Sequence, residues 1–245
     1  MTVGKPRDVS RGTIRVESHP ADGASLLSQS HLEKLGEIAR AVGVPLPPRF
    51  QPACESFLAE LAKWNRRINL ISAKDRTRVV ERHVLDSLCL LAYDCRLADK
   101  HILDVGPGAG FPGLVLAMWD SGARLTLVES RSKPVAFLRA VRRSIGLANV
   151  KVVHARLESV ANREQTPLVD IVTSRAVGGT LRLAEQVAPM LKPGGAVIVY
   201  TARHPRNSAF SPRDARILEQ LGYCTESITP PWQSLTTLLI LRKLS

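Results

Sequence analysis

From residue 101 onward the chain alternates short apolar runs with amphipathic stretches, and few folds accommodate that alternation. Runs at 101–105, 124–129, 150–154, 168–174 and 196–200 read as strands. Helical spacing fills the gaps at about 113–119, 134–145, 156–162 and 180–191. Such repetition predicts an α/β protein whose sheet is mostly parallel, with helices on its faces. The second of these helices has Pro134 in its first turn and Gly146 past its end, the usual asymmetry of helix boundaries. "LKPGG" (191–195) reads as a helix exit and a turn into the fifth strand. Near the end, "PRDARILEQLG" predicts a helix, and 234–243 a long last strand that returns antiparallel.

The sequence before residue 100 follows a different period. Leu32, Leu35, Ile38, Ala39 and Val42 fall on one helical face before Gly43 and Pro45 end the run. A second helix is expected over about 51–66. A third, "TRVVERHVLDSLCLLAY", places Val80, Val84, Leu88 and Leu91 on its core side. The organisation expected is a mobile tail over 1–29, a small helical cap over 30–97 and an α/β domain over 98–245. Arg7, Arg11 and Arg15 are the basic residues of the tail.

Composition narrows the class of partner. There are 34 Lys and Arg against 22 Asp and Glu, a formal charge of +12. The surplus is spread over both halves of the chain, and it favours a polyanion partner. Cys54, Cys89, Cys95 and Cys224 form no C-x-x-C and have no histidine at ligand spacing, so reduced thiols and no metal are expected. No apolar run is long enough to span a membrane, and no secretory signal is evident. A cytoplasmic monomer is the expectation.

The first strand runs into "HILDVGPGAGFPG", with glycines at 106, 108, 110 and 113. A glycine-rich turn between strand and helix lets backbone approach a ligand. Gly108, Gly110 and Gly113 even satisfy G-x-G-x-x-G, the dinucleotide fingerprint. Phe111 and Pro112, however, occupy the place where amides would face a diphosphate, and proline has no amide hydrogen to offer. A ligand carrying a carboxylate and a sulfonium suits the loop better. Asp104, on the strand tip, is placed to attract such a cation. Glu129, ending the second strand, is placed to accept ribose hydroxyls, which fits a nicotinamide or an S-adenosylmethionine ligand equally.

Five segments then occur in order: "LAKWNRRINLIS", "ERHVLDSL", "LDVGPGAGFPGLVLA", "KPVAFLR" and "TSRA". Over about residues 30–200 the chain resembles the bacterial small-subunit ribosomal RNA methyltransferase G family, also called glucose-inhibited division protein B. The resemblance implies a class I methyltransferase with a Rossmann-like sheet and S-adenosylmethionine as cofactor. It implies methyl transfer to N7 of a guanine in the 530 loop of 16S ribosomal RNA, on naked RNA or on the 30S subunit. It would put Gly106 and Phe111 against the cofactor, Leu157 and Glu158 around the adenine, and Arg175 beside the cofactor and the incoming base. Relatives usually carry a lysine-glycine pair after the fifth strand. Here the chain reads Thr201-Ala202-Arg203, and Arg203 is the candidate substitute for the lysine.

Guanine N7 has an in-plane lone pair and loses no proton on methylation, so a general base is not required and alignment is the main source of rate. Arg175 is expected to orient the base. Arg131, Lys133, Arg139, Arg142 and Arg143 form the leading RNA-binding candidate, with Lys63, Arg66 and Arg67 beside Trp64 as a second patch. In "ERHVLDSL", Arg82 and His83 are further RNA-binding candidates. Arg82 and Asp86, four apart, are spaced for an intrahelical ion pair. His83 and Asp86 are expected at the site's edge, where the cap meets the glycine loop. Two other readings stand: an NAD-dependent oxidoreductase, and an RNA-binding protein on the same fold that has lost transfer activity.

Overall fold

The computed structural model describes residues 26–161, 167–175, 179–202, 211–232, 234 and 236–244. Arg7, Arg11, Arg15 and Arg203 lie outside the described residues. The strands are β1 (His101–Val105), β2 (Arg124–Glu129), β3 (Val150–His154), β4 (Val169–Ser174), β5 (Leu191–Ala202), β6 (Tyr223–Ile228) and β7 (Thr236–Lys243). They form one sheet in the order β3-β2-β1-β4-β5-β7-β6. The pairs from β3 through β5 are parallel, and β7 runs antiparallel to both its neighbours. Chain order reverses between β1 and β4, so the crevice beyond their carboxyl ends is where a ligand is expected.

Period-two alternation sends strand side chains into two cores. Ile102, Ile171, Ile198 and Ile240 join one cluster, and Leu103, Val172, Val197 and Leu241 the other. The first cluster lies under α1 (Gln29–Val42), α2 (Phe50–Ile68), α4 (Gly113–Trp119) and α5 (Ser132–Ile145). The second lies under α6 (Leu157–Ala161), α7 (Thr180–Val187) and α8 (Pro212–Gln220). The N-terminal helices share one continuous core with the sheet. Aromatic rings carry that junction: Phe57 meets Phe111 edge-on at 5.3 Å, and Trp64 meets Phe137 at 5.9 Å. The shared core begins at Leu27, which is buried, and Ser28 caps α1 by accepting from the His31 amide.

Two elements differ from the pattern expected. The third helix is not one regular helix. A short α3 (Ala73–Arg76) precedes it, and the expected span itself comprises a π-helical turn over Val80–Leu85 and a 3-10 segment over Leu88–Ala92. Val80, Val84, Leu88 and Leu91 are all buried, as the spacing requires. Two carbonyls of this irregular segment accept from side chains on or just past the strands of the sheet. Tyr200 on β5 donates to the Ser87 carbonyl at 2.9 Å, and Arg175 donates to that of Arg82 at 2.9 Å. Secondly, "LKPGG" is part of β5, because Leu191 already pairs with Val169 while Ala196 pairs with Ile171. Asp170 alone opposes residues 192–195, so the segment bulges out of the sheet at Gly194, whose φ is +72°. Lys192 folds back to bond Asp170 at 2.8 Å.

Tyr200→Phe leaves a buried carbonyl without its partner and is expected to lower unfolding free energy by about 1–2 kcal/mol in urea titration.

Candidate active site

The strand-to-helix loop after β1 is held by two carboxylates. Asp104 is almost wholly buried and accepts from the Gly113 amide at 2.7 Å. A Cβ at Gly113 would lie 2.6 Å from that carboxylate oxygen and 2.4 Å from Leu127. At Gly110, with φ +93°, a Cβ would lie 2.4 Å from Leu114. Two of the four glycines are therefore required by packing within the loop and not by a ligand. Gly106 and Gly108, with φ +69° and +53°, turn the chain at the crevice itself.

Glu129 is the second carboxylate, 3% exposed. It accepts from the Gly108 amide at 3.1 Å and from the Arg131 amide at 2.9 Å. Oε1 also takes the Arg131 Nε–H, so Oε2, with one donor, is the oxygen that keeps a lone pair for a hydroxyl. The Arg131 guanidinium lies 3.3 Å from the same carboxylate, which places that residue at the mouth of the crevice.

The crevice is a cleft of about 330 Å³ over the ends of β1 and β2, walled by α6 and α7. Gly106, Leu157 and Glu158 line it, as the resemblance implies. Val128 and Leu183 add apolar walls suited to a flat aromatic ring. Arg182 and Gln186 were missed by sequence reasoning. They bond Glu158 at 3.2 and 2.9 Å, and their four-residue spacing was the available signal.

Other expected residues sit elsewhere. Asp104 faces the interior, because desolvated carboxylate oxygens need donors and the Gly113 amide provides one. It does not line the cleft, so direct attraction of a ligand cation is not what its placement offers. The Phe111 ring is also turned inward, between Phe57 and the His83 ring, on which it stacks at 4.9 Å. Arg175 lies at the tip of β4 on the other side of the loop. It donates to the carbonyls of Arg82 and His83, lies 3.6 Å from buried Asp86, and covers Tyr200 at 5.7 Å. Arg82 pairs with Asp75 at 3.3 Å rather than with Asp86. The helical layer, the glycine loop and the sheet thus meet at His83, Phe111 and Arg175.

Electrostatics at this junction follow from burial. Desolvation and the nearby Arg175 cation push His83 down to about 4, from its usual 6.5. Its Nε2 has no hydrogen-bond partner among the described residues. Desolvation pushes Asp104 up to about 7 from 3.8, against the opposing donation from Gly113.

The loop also decides between the two ligand classes. Pro112 has no amide hydrogen, the Gly113 amide goes to Asp104, and the Leu114 amide goes to the Gly110 carbonyl at 2.8 Å. With the Leu116 amide on the Pro112 carbonyl as well, most of the first turn of α4 is committed, and little is left there for the pyrophosphate that dinucleotide loops bind. The sheet order, the glycine turn and the acidic end of β2 together define a class I methyltransferase.

A family model described as rRNA small subunit methyltransferase G matches residues 51–222. The chain is 35% identical over 214 residues to a ribosomal RNA small subunit methyltransferase G of Chloroflexus aggregans, covering 85% of this chain and 88% of that one. It is 36% identical over 225 residues to the protein of that name from a Roseiflexus species, covering 87% and 92%. A solved structure of an MtNAS mutant matches at a TM-score of 0.52 and 14% identity, covering 89% of this chain and 78% of that one; the likeness concerns the fold alone. The chain belongs to the rRNA small subunit methyltransferase G family. It is an S-adenosylmethionine-dependent methyltransferase, and the dinucleotide alternative has no support.

Two helices that touch each carry a group of exposed basic residues. Lys133, Arg139, Arg142 and Arg143 are exposed on α5, and Arg66 and Arg67 on the last turns of α2. The Trp64–Phe137 contact lays α2 against α5, so the two patches adjoin.

Two variants test the loop. Gly113→Ala forces Leu127 and Asp104 apart and is expected to cost about 1–3 kcal/mol in denaturant unfolding. Asp104→Asn separates two opposing pH effects. Folded Asp104 holds its proton up to about 7, so its contribution to stability falls as pH rises from 3.8. Folded His83 resists protonation down to about 4, so its contribution rises with pH up to 6.5. Each is on the order of 3 kcal/mol, and in wild type they oppose each other. Melting temperatures of Asp104→Asn should climb between pH 4 and 6.5, and those of His83→Gln should fall over the same interval.

Proposed function

We propose that this chain transfers a methyl group from S-adenosylmethionine to N7 of a guanine in the 530 loop of 16S ribosomal RNA. Family membership carries the reaction class, and the cleft, lined by Val128 and Ser130 on either side of Glu129, is the observation that supports the cofactor's place. S-adenosylmethionine, when bound, supplies the methyl group on a sulfonium that departs as a neutral thioether. The residues have to hold and align. Glu129 takes the ribose hydroxyls, and Val128, Leu157 and Leu183 enclose the adenine. Gly106 and Gly108 let the backbone approach, and Arg131 lies where it can meet a carboxylate. The backbone of Phe111 remains near the ligand while its ring anchors the loop.

No residue is needed to remove a proton. Proximity is then the main source of rate. Arg175 has two donors committed to the turn at Arg82 and His83, which favours a positioning role: it keeps the His83–Phe111 stack, and so the loop, in register. Arg203 remains the candidate for a contact with the incoming base. The reading takes the enzyme as a cytoplasmic monomer that needs no metal, since alkylation of a free lone pair requires no Lewis acid. Among the described residues no helix is long and apolar enough to cross a membrane. Arg139, Arg142 and Arg143, with Arg66 and Arg67, are the RNA-facing cations.

The deciding experiment incubates the protein with methyl-labelled cofactor and unmethylated 30S subunits or naked 16S RNA, then resolves nucleosides. Label is expected in N7-methylguanosine, and its absence from both substrates overturns the reading. Arg139→Glu with Arg142→Glu and Arg143→Glu should weaken RNA binding and flatten its salt dependence by roughly two to three in the logarithmic slope. Cofactor affinity, measured by calorimetry, should be unchanged.

A further inference from the structure

A second cavity, of about 250 Å³, lies away from the cleft, between α2 and the segment that leads into the π-helical turn. Leu58, Leu61, Ile71 and Val79 make it apolar, and Arg66 and Arg76 stand at its lining. Both arginines are exposed. No carboxylate of the described residues pairs with either: Glu60 is taken by Lys63 at 3.4 Å, and Asp75 by Arg82 at 3.3 Å.

The wall is preformed. Asn65, 3% exposed, accepts from the Ile71 amide at 2.9 Å and donates to the Ile71 carbonyl at 3.3 Å. Each end of its amide thereby holds the chain at Ile71. The cavity consequently offers an apolar slot with two cations beside it and few groups that could read a base edge. An apolar slot beside guanidinium groups matches an unstacked nucleotide, whose base is flat and whose phosphate is anionic. A basic or neutral protein segment would leave both arginines unanswered.

The cavity is also mechanically joined to the methyl-transfer region. Val79 lines it, and His83, one helical turn later, stacks on Phe111 of the glycine loop. Asp75, in the same short stretch, approaches His83 to 4.0 Å while pairing with Arg82. We infer that this cavity is a second RNA-binding site that holds one unstacked nucleotide of the substrate strand, near the target guanine but separate from it, without regard to base identity. The inference rests on the proposed RNA substrate and adds a point of attachment to it.

Abasic scanning tests it. A short single-stranded RNA carrying the target guanine is made with one base removed at each position in turn, and equilibrium binding is measured by fluorescence anisotropy. Wild type is compared with Ala62→Phe, which places a ring in the slot from an exposed position on α2, and with Arg66→Gln plus Arg76→Gln. In wild type, one position other than the target should lose about ten-fold in affinity on base removal, in keeping with the value of a stacked base. That loss should shrink to under roughly two-fold in Ala62→Phe. The arginine pair should lower the logarithmic salt slope by about 1.4 while cofactor affinity holds. Thermal melts and cofactor binding verify folding, and the arginine variant serves if Ala62→Phe fails to fold.

Identical abasic profiles in wild type and both variants overturn the inference, even where methyl transfer proceeds. So does a defect of Ala62→Phe seen with 30S subunits but absent with RNA alone, which would assign the slot to a protein side chain. Wild type that binds no RNA overturns it as well. An abasic position sensitive to Ala62→Phe in a protein that transfers no methyl group would uphold the site and remove the proposed reaction instead.

Discussion

The guanidinium of Arg175 is the contact on which the site's geometry depends. It leaves the end of β4, bonds the carbonyls of Arg82 and His83, and lies against Asp86 and the Tyr200 ring. Those carbonyls lie in a π-helical turn, where the Asp86 amide and the Ser87 hydroxyl already donate to that of His83, and the guanidinium adds a fixed donor from outside the helix. Arginine suits this because its planar fork serves two acceptors at once and stays charged when half-buried. Through it the helical layer becomes an extension of the sheet. His83 is held against Phe111 as a result, and Phe111 anchors the glycine loop. Removing one partner of the buried Arg175–Asp86 pair would leave an uncompensated charge, a cost of several kcal/mol.

The loop illustrates how one motif serves two purposes. Gly110 and Gly113 are small because Leu114, Leu127 and Asp104 fill the space beside them. Gly106 and Gly108 are glycines because the chain turns there through positive φ at the ligand crevice. The same packing consumes the amides at the start of α4. A loop built this way has little to give a pyrophosphate, and its binding capacity moves to the backbone turn and to Glu129. The carboxylate that sequence reasoning aimed at the ligand, Asp104, instead fastens the loop from below.

Much of the architecture was legible beforehand, because strand and helix periods survive in buried segments. β1, β2 and β3 begin and end where the apolar runs do, and α5 ends at Gly146 as expected. The failures have physical causes. A π-helical turn keeps nearly the same buried positions as an α-helix, so Val80, Val84, Leu88 and Leu91 could not reveal it. The bulge at 192–195 depends on how β4 pairs, and a proline-glycine segment looks like a turn whether or not its flanks are in a sheet. Arg182 and Gln186 carry no signal beyond their spacing, since nothing in the local sequence says that this side of the helix faces the cleft.

Composition, period and the glycine segment by themselves determined an α/β chain with a mostly parallel sheet, a strand–loop–helix binding crevice and an excess of positive charge. These are properties of single segments or of sums over residues, and they need no knowledge of neighbours. Only the tertiary structure decided which charges are spent and which remain available. Asp104, Arg175 and Asp86 look like free catalytic groups in sequence and are bonded to residues 9, 92 or 148 positions away in the chain. Burial makes those pairings obligatory, because a desolvated charge without a partner is too costly to keep. Glu129 meets that demand with the Gly108 and Arg131 amides, and the exposed arginines of α2 and α5 escape it because they border solvent.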